Sequence, residues 1–364
     1  QEFHADGYRF DFSQGMSQTP NGNGGYDQSR INLLTDYGNH VWAQDDGVYL
    51  ILEHWCDTSE EIALTNNGFM VWANVAHDYQ EAAMGYPSNL GWANYQSHGF
   101  NQMAAVSYPE SHDEERLMYK NLAFGASSGN YDASNLSTAL SRMEAIQCFN
   151  IALPGPKMIW QFGEVGYDYS INTCSDGVTI NEGCRTDAKP VRWDYRLDDQ
   201  RYNIHQVIAG LAHLKRNYAT FSTTDFNWDV AGMGKRLLMY HPEMDAVVVA
   251  NFNTQPINMV AGFSHTGTWY DYFTGDAIEV TDISAAQLFE PGEYHVYLDE
   301  PVTCPSELLH MEELDFQSAT LSTWPQPAQG GLQYAMELPA PGTYQIQCFD
   351  SSGALLLDET RPSS

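Results

Sequence analysis

The first residues that could do chemistry lie almost at the start of the chain, in residues 6–13. Aromatic residues alternate there with polar ones, and a strand with this pattern points Arg9 and Asp11 to the same face. A neighbouring guanidinium favours the ionised form of a carboxylate, and an ionised Asp can act as a nucleophile. A structural ion pair at a strand end explains the same residues, so this stretch alone leaves both interpretations open.

A second carboxylate follows residues 47–52, a continuous apolar run that is typical of a parallel strand buried on both faces. Glu53 comes directly after this run, close to Trp55. Because burial favours the protonated form of a carboxyl group, Glu53 suits a general acid that later acts as a base. Alternatively, Glu53 caps the helix that follows.

A third polar group follows the apolar residues 103–108 and contains His112 and Asp113. These two side chains could hold sugar hydroxyl groups, and Asp113 could oppose positive charge in a transition state. Alternatively, His112 is an ordinary loop histidine, and Asp113 belongs to the solvated start of a helix. One ionised and one protonated carboxyl group, such as Asp11 and Glu53, form the pair that glycoside hydrolysis requires.

Strand-like and helix-like segments alternate through the first 221 residues, which is typical of a (β/α)8 barrel with its site at the carboxyl ends of the strands. The capping pattern Thr58/Glu61 predicts a helix start, and Gly68 its end. Strands are predicted at residues 6–13, 47–52, 69–74, 103–108 and 157–162, and helices near 31–41, 58–67, 79–84, 136–153 and 204–218.

The texture changes near residue 222 to short strands separated by turns, predicted at 236–240, 246–252, 269–273 and 294–298. The chain therefore divides into an α/β barrel portion at 1–221, an antiparallel all-β domain at 222–303 and a small β module at 304–364. No residue of the last segment suggests catalysis.

The composition excludes some partners. A formal net charge of -31 repels nucleic acid and anionic membrane surfaces. No apolar run approaches the ~20 residues that cross a bilayer, so no membrane insertion is predicted. Nine tryptophans and 22 tyrosines could include platforms for sugar rings, although most should be core.

The six cysteines show no paired metal-ligand spacing, and no metal site is predicted from them. Cys174 and Cys184 flank a polar, turn-rich loop that a covalent closure would order. We predict a disulfide there, and with it an oxidising compartment.

Three motifs give the chain a resemblance to the α-amylase family, glycoside hydrolase family 13, over about residues 1–302. Residues 7–11 resemble its fourth-strand motif, residues 50–53 its fifth-strand motif and residues 110–113 its seventh-strand motif. The resemblance implies that Asp11 is the nucleophile, supported by Arg9, and that Glu53 is the acid/base. It also implies that Asp113 stabilises the transition state and that His112 contacts substrate. His54 and Trp55, next to Glu53, are further candidate substrate contacts.

The implied activity is a retaining attack on α-1,4-glucans such as starch and maltooligosaccharides, through a covalent glycosyl-enzyme intermediate. No cofactor is required for this chemistry. A branching enzyme or other transglycosylase would use the same residues, and a noncatalytic glucan-binding protein or an inactive fragment remains open as an alternative.

The sequence departs from the family pattern in three places. The motifs correspond to barrel strands 4 to 8, so the remaining strands are expected either upstream of Gln1 or from association with another chain. Gln14 and Gly15 replace a Lys-His pair, which leaves the family's calcium ion an open expectation. The tail from about 305 loosely resembles a type IX secretion sorting module, which predicts a secreted or cell-surface protein.

Overall fold

The computed structural model describes residues 5–17, 19 and 24–304, and the backbone of four strands between residues 320 and 363. The chain divides into two compact units, residues 1–305 and 306–364. The α-helices of the first unit are α1 Gln28–Trp42, α2 Thr58–Asn66, α3 Ala76–Met84, α4 Leu117–Phe124, α5 Leu136–Ala152 and α6 Asp199–Asn217.

The first unit begins as an α/β region and ends as a β-rich one. The strands of the α/β region are β1 Gly7–Phe10, β2 Tyr49–Leu52, β3 Met70–Asn74, β4 Ser88–Asn89, β5 Ala105–Tyr108, β6 Ser127–Ser128 and β7 Tyr131–Asp132. Those of the β-rich region are β8 Phe226–Asp229, β9 Ala231–Gly232, β10 Gly234–Met239, β11 Ala246–Asn251, β12 Ile257–Val260, β13 Gly267–Asp271, β14 Ala277–Val280, β15 Ala286–Phe289 and β16 Tyr294–Leu298.

Four strands form a parallel sheet in the order β1-β2-β3-β5. Each is followed along the chain by a helix, so the predicted strand-helix alternation is present for these four units. Phe10 lies opposite Leu52, Leu52 opposite Val71, and Asn74 opposite Tyr108. The carboxyl ends of these strands therefore meet at one edge of the sheet.

The fifth predicted strand, residues 157–162, is much shorter than the sequence suggests. It is reduced to a parallel bridge between Ser107 and Lys157, with the N–H of Met158 donating to the Ser107 carbonyl at 3.1 Å. Pro156 precedes the bridge and has no N–H, so the ladder cannot extend in that direction. Beyond it the chain turns away at Phe162, whose φ is 61°.

Helix α2 begins where the sequence places it, but with a different cap. The carboxylate of Asp57, rather than Thr58, accepts the N–H of Ser59 at 2.9 Å, and Glu61 accepts the N–H of Cys56 instead of closing a box with Thr58. Asp caps a helix well because its carboxylate satisfies the free N–H groups and complements the positive end of the dipole. Helix α2 ends at Asn66, two residues before Gly68, which has a φ of +100°.

The β-rich region contains a six-stranded antiparallel sheet in the order β14-β13-β16-β11-β10-β8, while β12 pairs separately with β15. Alternate side chains of β11 enter different hydrophobic cores. Val248 and Ala250 pack in the core that contains helices α5 and α6, whereas Val247 and Val249 pack in a second core with Trp269. One face of the sheet is thus covered by helices of the α/β region.

Buried cations also join the two regions. The ammonium group of Lys235, on β10, is fully buried and donates to the carbonyl oxygens of Ser88, Val230 and Gly232 at 2.7 to 2.9 Å. Three charge-assisted hydrogen bonds offset much of the cost of burying this charge.

The second unit contains two hairpins, in which β17 Thr320–Trp324 pairs with β18 Gln333–Glu337, and β19 Gly342–Phe349 pairs with β20 Leu355–Ser363. The prediction of a small β module is consistent with these strands. Part of the sorting-module pattern, Pro325, Pro327 and residues 350–353, lies outside the described residues, so that resemblance stays a prediction.

Candidate active site

Asp11 and Glu53 follow the adjacent strands β1 and β2 at the same edge of the sheet. A carboxylate oxygen of each and a ring nitrogen of His112 all lie within 4.8 Å of one another. The Glu53 side chain is buried, whereas that of Asp11 is 76% exposed. The site therefore opens to solvent on the side of Asp11.

The guanidinium group of Arg9 joins the two carboxylates. It forms ion pairs with Asp11 and, at 2.6 Å, with Glu53 Oε2, and it stacks on the ring of Trp72 with its centre 4.2 Å from the ring centroid. A planar guanidinium suits this position because its donors lie in one plane and its face can contact an aromatic ring.

The surroundings of Glu53 differ from the sequence-based expectation. Its Oε2 accepts the backbone N–H of Phe12 at 2.7 Å in addition to the ion pair with Arg9. Glu53 is buried among charged and hydrogen-bonding groups rather than in a purely apolar setting. Its chemistry therefore depends on how Arg9 is positioned.

Left-handed backbone occurs at two non-glycine residues of the described chain, Phe12 with φ 43° and Phe162 with φ 61°. Phe12 lies two residues after β1, and Phe162 lies five residues after the bridge at Lys157. Bulky residues rarely adopt this conformation, and it typically costs about 1–3 kcal/mol. At Phe12 the turn directs the N–H toward Glu53 directly after Asp11.

His112 lies beside the pair, and Asp113 contacts His112. His112 Nε2 is 3.3 Å from Asp113 Oδ2. The imidazole is flanked by Trp72 and Trp160, with ring centroids 5.9 and 5.7 Å away. The chain thus brings Arg9, Asp11, Glu53, His112 and Asp113 to one edge of the sheet.

His54 lies behind the site, which corrects the expectation that it contacts substrate. Its side chain is fully buried, with Nδ1 2.9 Å from Ser13 Oγ and Nε2 3.1 Å from Glu60 Oε1. Burial lowers the pKa of His54, against the attraction of Glu60. Ser13 Oγ also donates its one proton to the backbone carbonyl oxygen of Glu53 at 2.8 Å, so His54 Nδ1 contacts a hydroxyl group that is already bonded to the Glu53 backbone.

The hydrogen bonds of His54 connect, through Glu60, to helix α1. Arg30 is fully buried and forms a two-point ion pair with Glu60, through Nε at 2.6 Å and Nη2 at 2.8 Å. The chain from Arg30 through Glu60 and His54 to Ser13 fixes the turn that follows Asp11. Trp55 is 39% exposed and stays a candidate sugar contact.

Sequence reasoning missed several residues near the site. Arg185 Nη2 lies 2.9 Å from Asp113 Oδ1, and Trp72 and Trp160 hold His112. Glu110 is buried, and burial raises its pKa although Arg116 opposes this. Trp72 could have been found, since it lies near the carboxyl end of a predicted strand, but no local pattern points to Arg185.

The predicted disulfide between Cys174 and Cys184 is present. Among the described residues, Cys56, Cys148 and Cys304 are free thiols. Burial raises the pKa of the Cys56 thiol to about 11, so it is protonated and unreactive at neutral pH.

Calcium prefers six to eight oxygen ligands. In the described part of the chain, four groups of three His, Cys, Asp or Glu residues could hold a metal ion, and each includes a His or a Cys. The side-chain oxygen of Gln14 accepts the N–H of Trp55 at 2.7 Å. These groups do not fit an all-oxygen calcium site, and the calcium ion stays a prediction.

No protein-family model and no curated protein matches the sequence. Solved structures do match. The α-amylase of Geobacillus thermoleovorans, crystallised with acarbose, aligns over 82% of this chain and 60% of its own, with 12% identity and a TM-score of 0.58. The α-amylase of H. orenii aligns over 81% and 61%, with 16% identity and a TM-score of 0.53.

A cyclomaltodextrinase aligns over 81% of this chain and 45% of its own, with 16% identity and a TM-score of 0.55. The chain therefore spans from under half to about 60% of the length of these structures. At such identities the likeness shows a shared fold. None of the described helices is long and apolar enough to span a membrane.

Proposed function

We propose that the protein is a retaining glycoside hydrolase that acts on α-1,4-glucans, with Asp11 as nucleophile and Glu53 as acid/base. The observation that carries the proposal is the approach of the two carboxylates, whose oxygen atoms lie within 4.8 Å at the ends of neighbouring parallel strands. Retaining enzymes hold their two carboxyl groups ~5–5.5 Å apart so that one can attack while the other protonates the leaving oxygen.

In the first step, Asp11 attacks the anomeric carbon and forms a carbon–oxygen bond to it. The glycosidic bond breaks, and its oxygen takes the proton of Glu53. In the second step, Glu53 takes a proton from water, the water oxygen bonds to the anomeric carbon, and Asp11 leaves as a carboxylate. Hydrolysis and transglycosylation differ in whether water or a sugar hydroxyl group enters at this step.

The other residues of the site support these roles. Arg9 contacts both carboxylates and places a positive charge beside Asp11. Asp113 lies next to His112, and its negative charge would oppose the developing charge of an oxocarbenium-like transition state. The fold shared with α-amylase structures, one of them crystallised with acarbose, favours glucan as the substrate class.

A trapping experiment tests the assignment. The protein, with any upstream residues of its natural form, is incubated with an activated 5-fluoro α-glucosyl donor, which slows the second step, and is then digested for mass spectrometry. An adduct on the peptide that contains Asp11 is expected, and it should be absent in Asp11→Asn. Asp6→Asn, an exposed carboxylate just before the amino end of β1 and therefore away from the site, is the matched control and should still be labelled.

Turnover provides the second readout. Glu53→Gln should lower the release of reducing sugar from starch by at least ~1000-fold, because the leaving oxygen loses its proton donor. Undiminished release in Glu53→Gln would overturn the assignment. Binding of maltooligosaccharide with neither turnover nor an adduct would instead favour a noncatalytic glucan-binding protein, and formation of branched or longer glucans would favour a transglycosylase.

A further inference from the structure

Arg185 donates hydrogen bonds to two oxygen atoms of Asp113. Its Nη2 donates to Asp113 Oδ1 at 2.9 Å and to the backbone carbonyl oxygen of Asp113 at 2.7 Å. The contact joins residues 72 positions apart in the chain. It fixes both the carboxylate and the peptide group that follows it, while Asp113 Oδ2 faces His112.

A covalent bond holds Arg185 in reach of Asp113. Arg185 directly follows Cys184, which is bonded to Cys174. Lys189 Nζ donates to the carbonyl oxygens of Thr173 and Cys184 at 2.7 Å, so it ties together the two chain segments that the disulfide joins. The backbone at Arg185 therefore has little freedom to move away.

The loop that contains the disulfide, residues 170–189, also contacts the chain just after Asp113. Ser170 Oγ and the N–H of Ile171 donate to the Glu115 carboxylate at 2.7 and 2.6 Å. Glu115 lies two residues after Asp113. The loop thus contacts the segment through Glu115 at its base and through Asp113 beside the disulfide.

The small energy of an exposed ion pair explains why the backbone at Arg185 must be held in place. The side chains of Arg185 and Asp113 are 46% and 47% exposed. An exposed ion pair contributes only about 0–1 kcal/mol, and ordering a free arginine side chain offsets most of that. The disulfide already restricts the backbone at Arg185, so only the side chain remains to be ordered when the ion pair forms. The pair can then persist although its own energy is small.

We propose that Arg185 is a positioning residue for Asp113, and that the disulfide between Cys174 and Cys184 acts on the site through Arg185. This inference rests on the proposed function, since Asp113 is taken there as the group that opposes transition-state charge. A residue outside the three strand ends would then set how well the site binds and turns over glucan. The competing view is that the disulfide only stabilises a surface loop and that Arg185 forms an incidental ion pair.

A double-mutant cycle separates the two views. Its members are the wild type, Arg185→Gln, the pair Cys174→Ser with Cys184→Ser, and the combination of all three changes. Hydrogen exchange of the amides in residues 111–116 is measured without substrate, and kcat and KM are measured with a maltooligosaccharide. Arg236→Gln removes another half-exposed ion pair, with Asp229, and serves as the control.

If Arg185 transmits the effect, Arg185→Gln and the serine pair each raise exchange in residues 111–116 and each lower kcat/KM about tenfold. The triple variant is then no worse than either, because both changes remove the same contact. Arg185→Lys should retain part of the activity, since it keeps the charge but loses the planar donor geometry. Arg236→Gln should change neither readout.

Multiplied losses in the triple variant, or wild-type exchange and kinetics in Arg185→Gln, would overturn the proposal. Should the serine pair fail to fold, reduction of the folded protein with dithiothreitol, with and without Arg185→Gln, supplies the same cycle. A wild type without glucan turnover would contradict the proposed function only. The exchange cycle would still decide whether Arg185 positions Asp113.

Discussion

Arg9 Nη2 lies 2.6 Å from Glu53 Oε2, so a cation of strand β1 is paired with the carboxylate that follows strand β2. The same guanidinium also pairs with Asp11. Two carboxylates this close repel each other when both are ionised, and a shared cation between them reduces that repulsion. The spacing of the candidate catalytic pair therefore depends on a third side chain.

Replacing Arg9 by Lys should lower kcat/KM about 100-fold, although the charge is kept, because one ammonium group cannot contact both carboxylates and also stack on Trp72. Steady-state kinetics on a maltooligosaccharide measure the effect. Arg236→Lys, at a half-exposed ion pair far along the chain from the site, is the control and should behave as wild type. Activity within threefold of wild type in Arg9→Lys would contradict the shared-cation role.

Replacing Gly7 by Ala should disturb the site without unfolding the protein. A Cβ at residue 7 would lie 2.5 Å from the backbone oxygen of Tyr49, so β1 must shift relative to β2. A displacement on the order of 1 Å at a catalytic pair can cost 100-fold in rate. Gly25→Ala, where a Cβ meets nothing within 4 Å, should have no effect, and equal activities of the two variants would sink the prediction.

Replacing Lys235 by Met should destabilise the protein by roughly 3 kcal/mol, because three carbonyl oxygens lose a charged donor in a buried place. Urea unfolding followed by circular dichroism measures the change. Lys120→Met removes an ammonium group that lies over the Phe124 ring, and should cost less than about 1 kcal/mol. A loss below that figure in Lys235→Met would show that the three bonds contribute little.

Glu61 should make stability depend on pH. Burial raises the pKa of this carboxyl group from its ordinary 4.5 to about 7. Between these values the folded state keeps a proton that the unfolded chain releases, so stability falls as pH rises from about 4.5 to about 7. In Glu61→Gln this loss should be smaller by about 2 kcal/mol.

Urea unfolding at pH 5 and pH 8 tests the Glu61 prediction. Glu300→Gln, at an exposed position, should keep the wild-type pH dependence. A Glu61→Gln variant that loses as much stability as the wild type between the two pH values would rule out Glu61 as the responsible group.

The approach of Asp11 to Glu53 was predictable because each carboxylate can be placed at a strand end from the residues next to it in the sequence. An apolar run that ends in a carboxylate predicts a strand with a polar group at its carboxyl end, and parallel strands bring such ends together. The position of His54 was also within reach. Successive strand side chains point to opposite faces, so the prediction that His54 contacts substrate could have been rejected from its position next to Glu53.

Arg185 could not have been predicted in this way. It meets Asp113 from a loop without regular periodicity, and only the folded path of the disulfide loop brings the two together. The fifth strand is limited on its amino side by Pro156, which was visible in the sequence, and the chain turns on its carboxyl side at Phe162, whose left-handed backbone was not. Tertiary context decides left-handed backbone at a bulky residue, since local preference opposes it.

Strand β11 contributes alternate side chains to two of the hydrophobic cores of residues 1–305. Neither core can be opened while the other keeps its shape, because the same backbone forms a wall of each. Heating should therefore melt helices α3 to α6 and the antiparallel sheet together, as one calorimetric peak. The β-rich region then acts as a structural foundation for the candidate site, although it supplies none of the five residues gathered there.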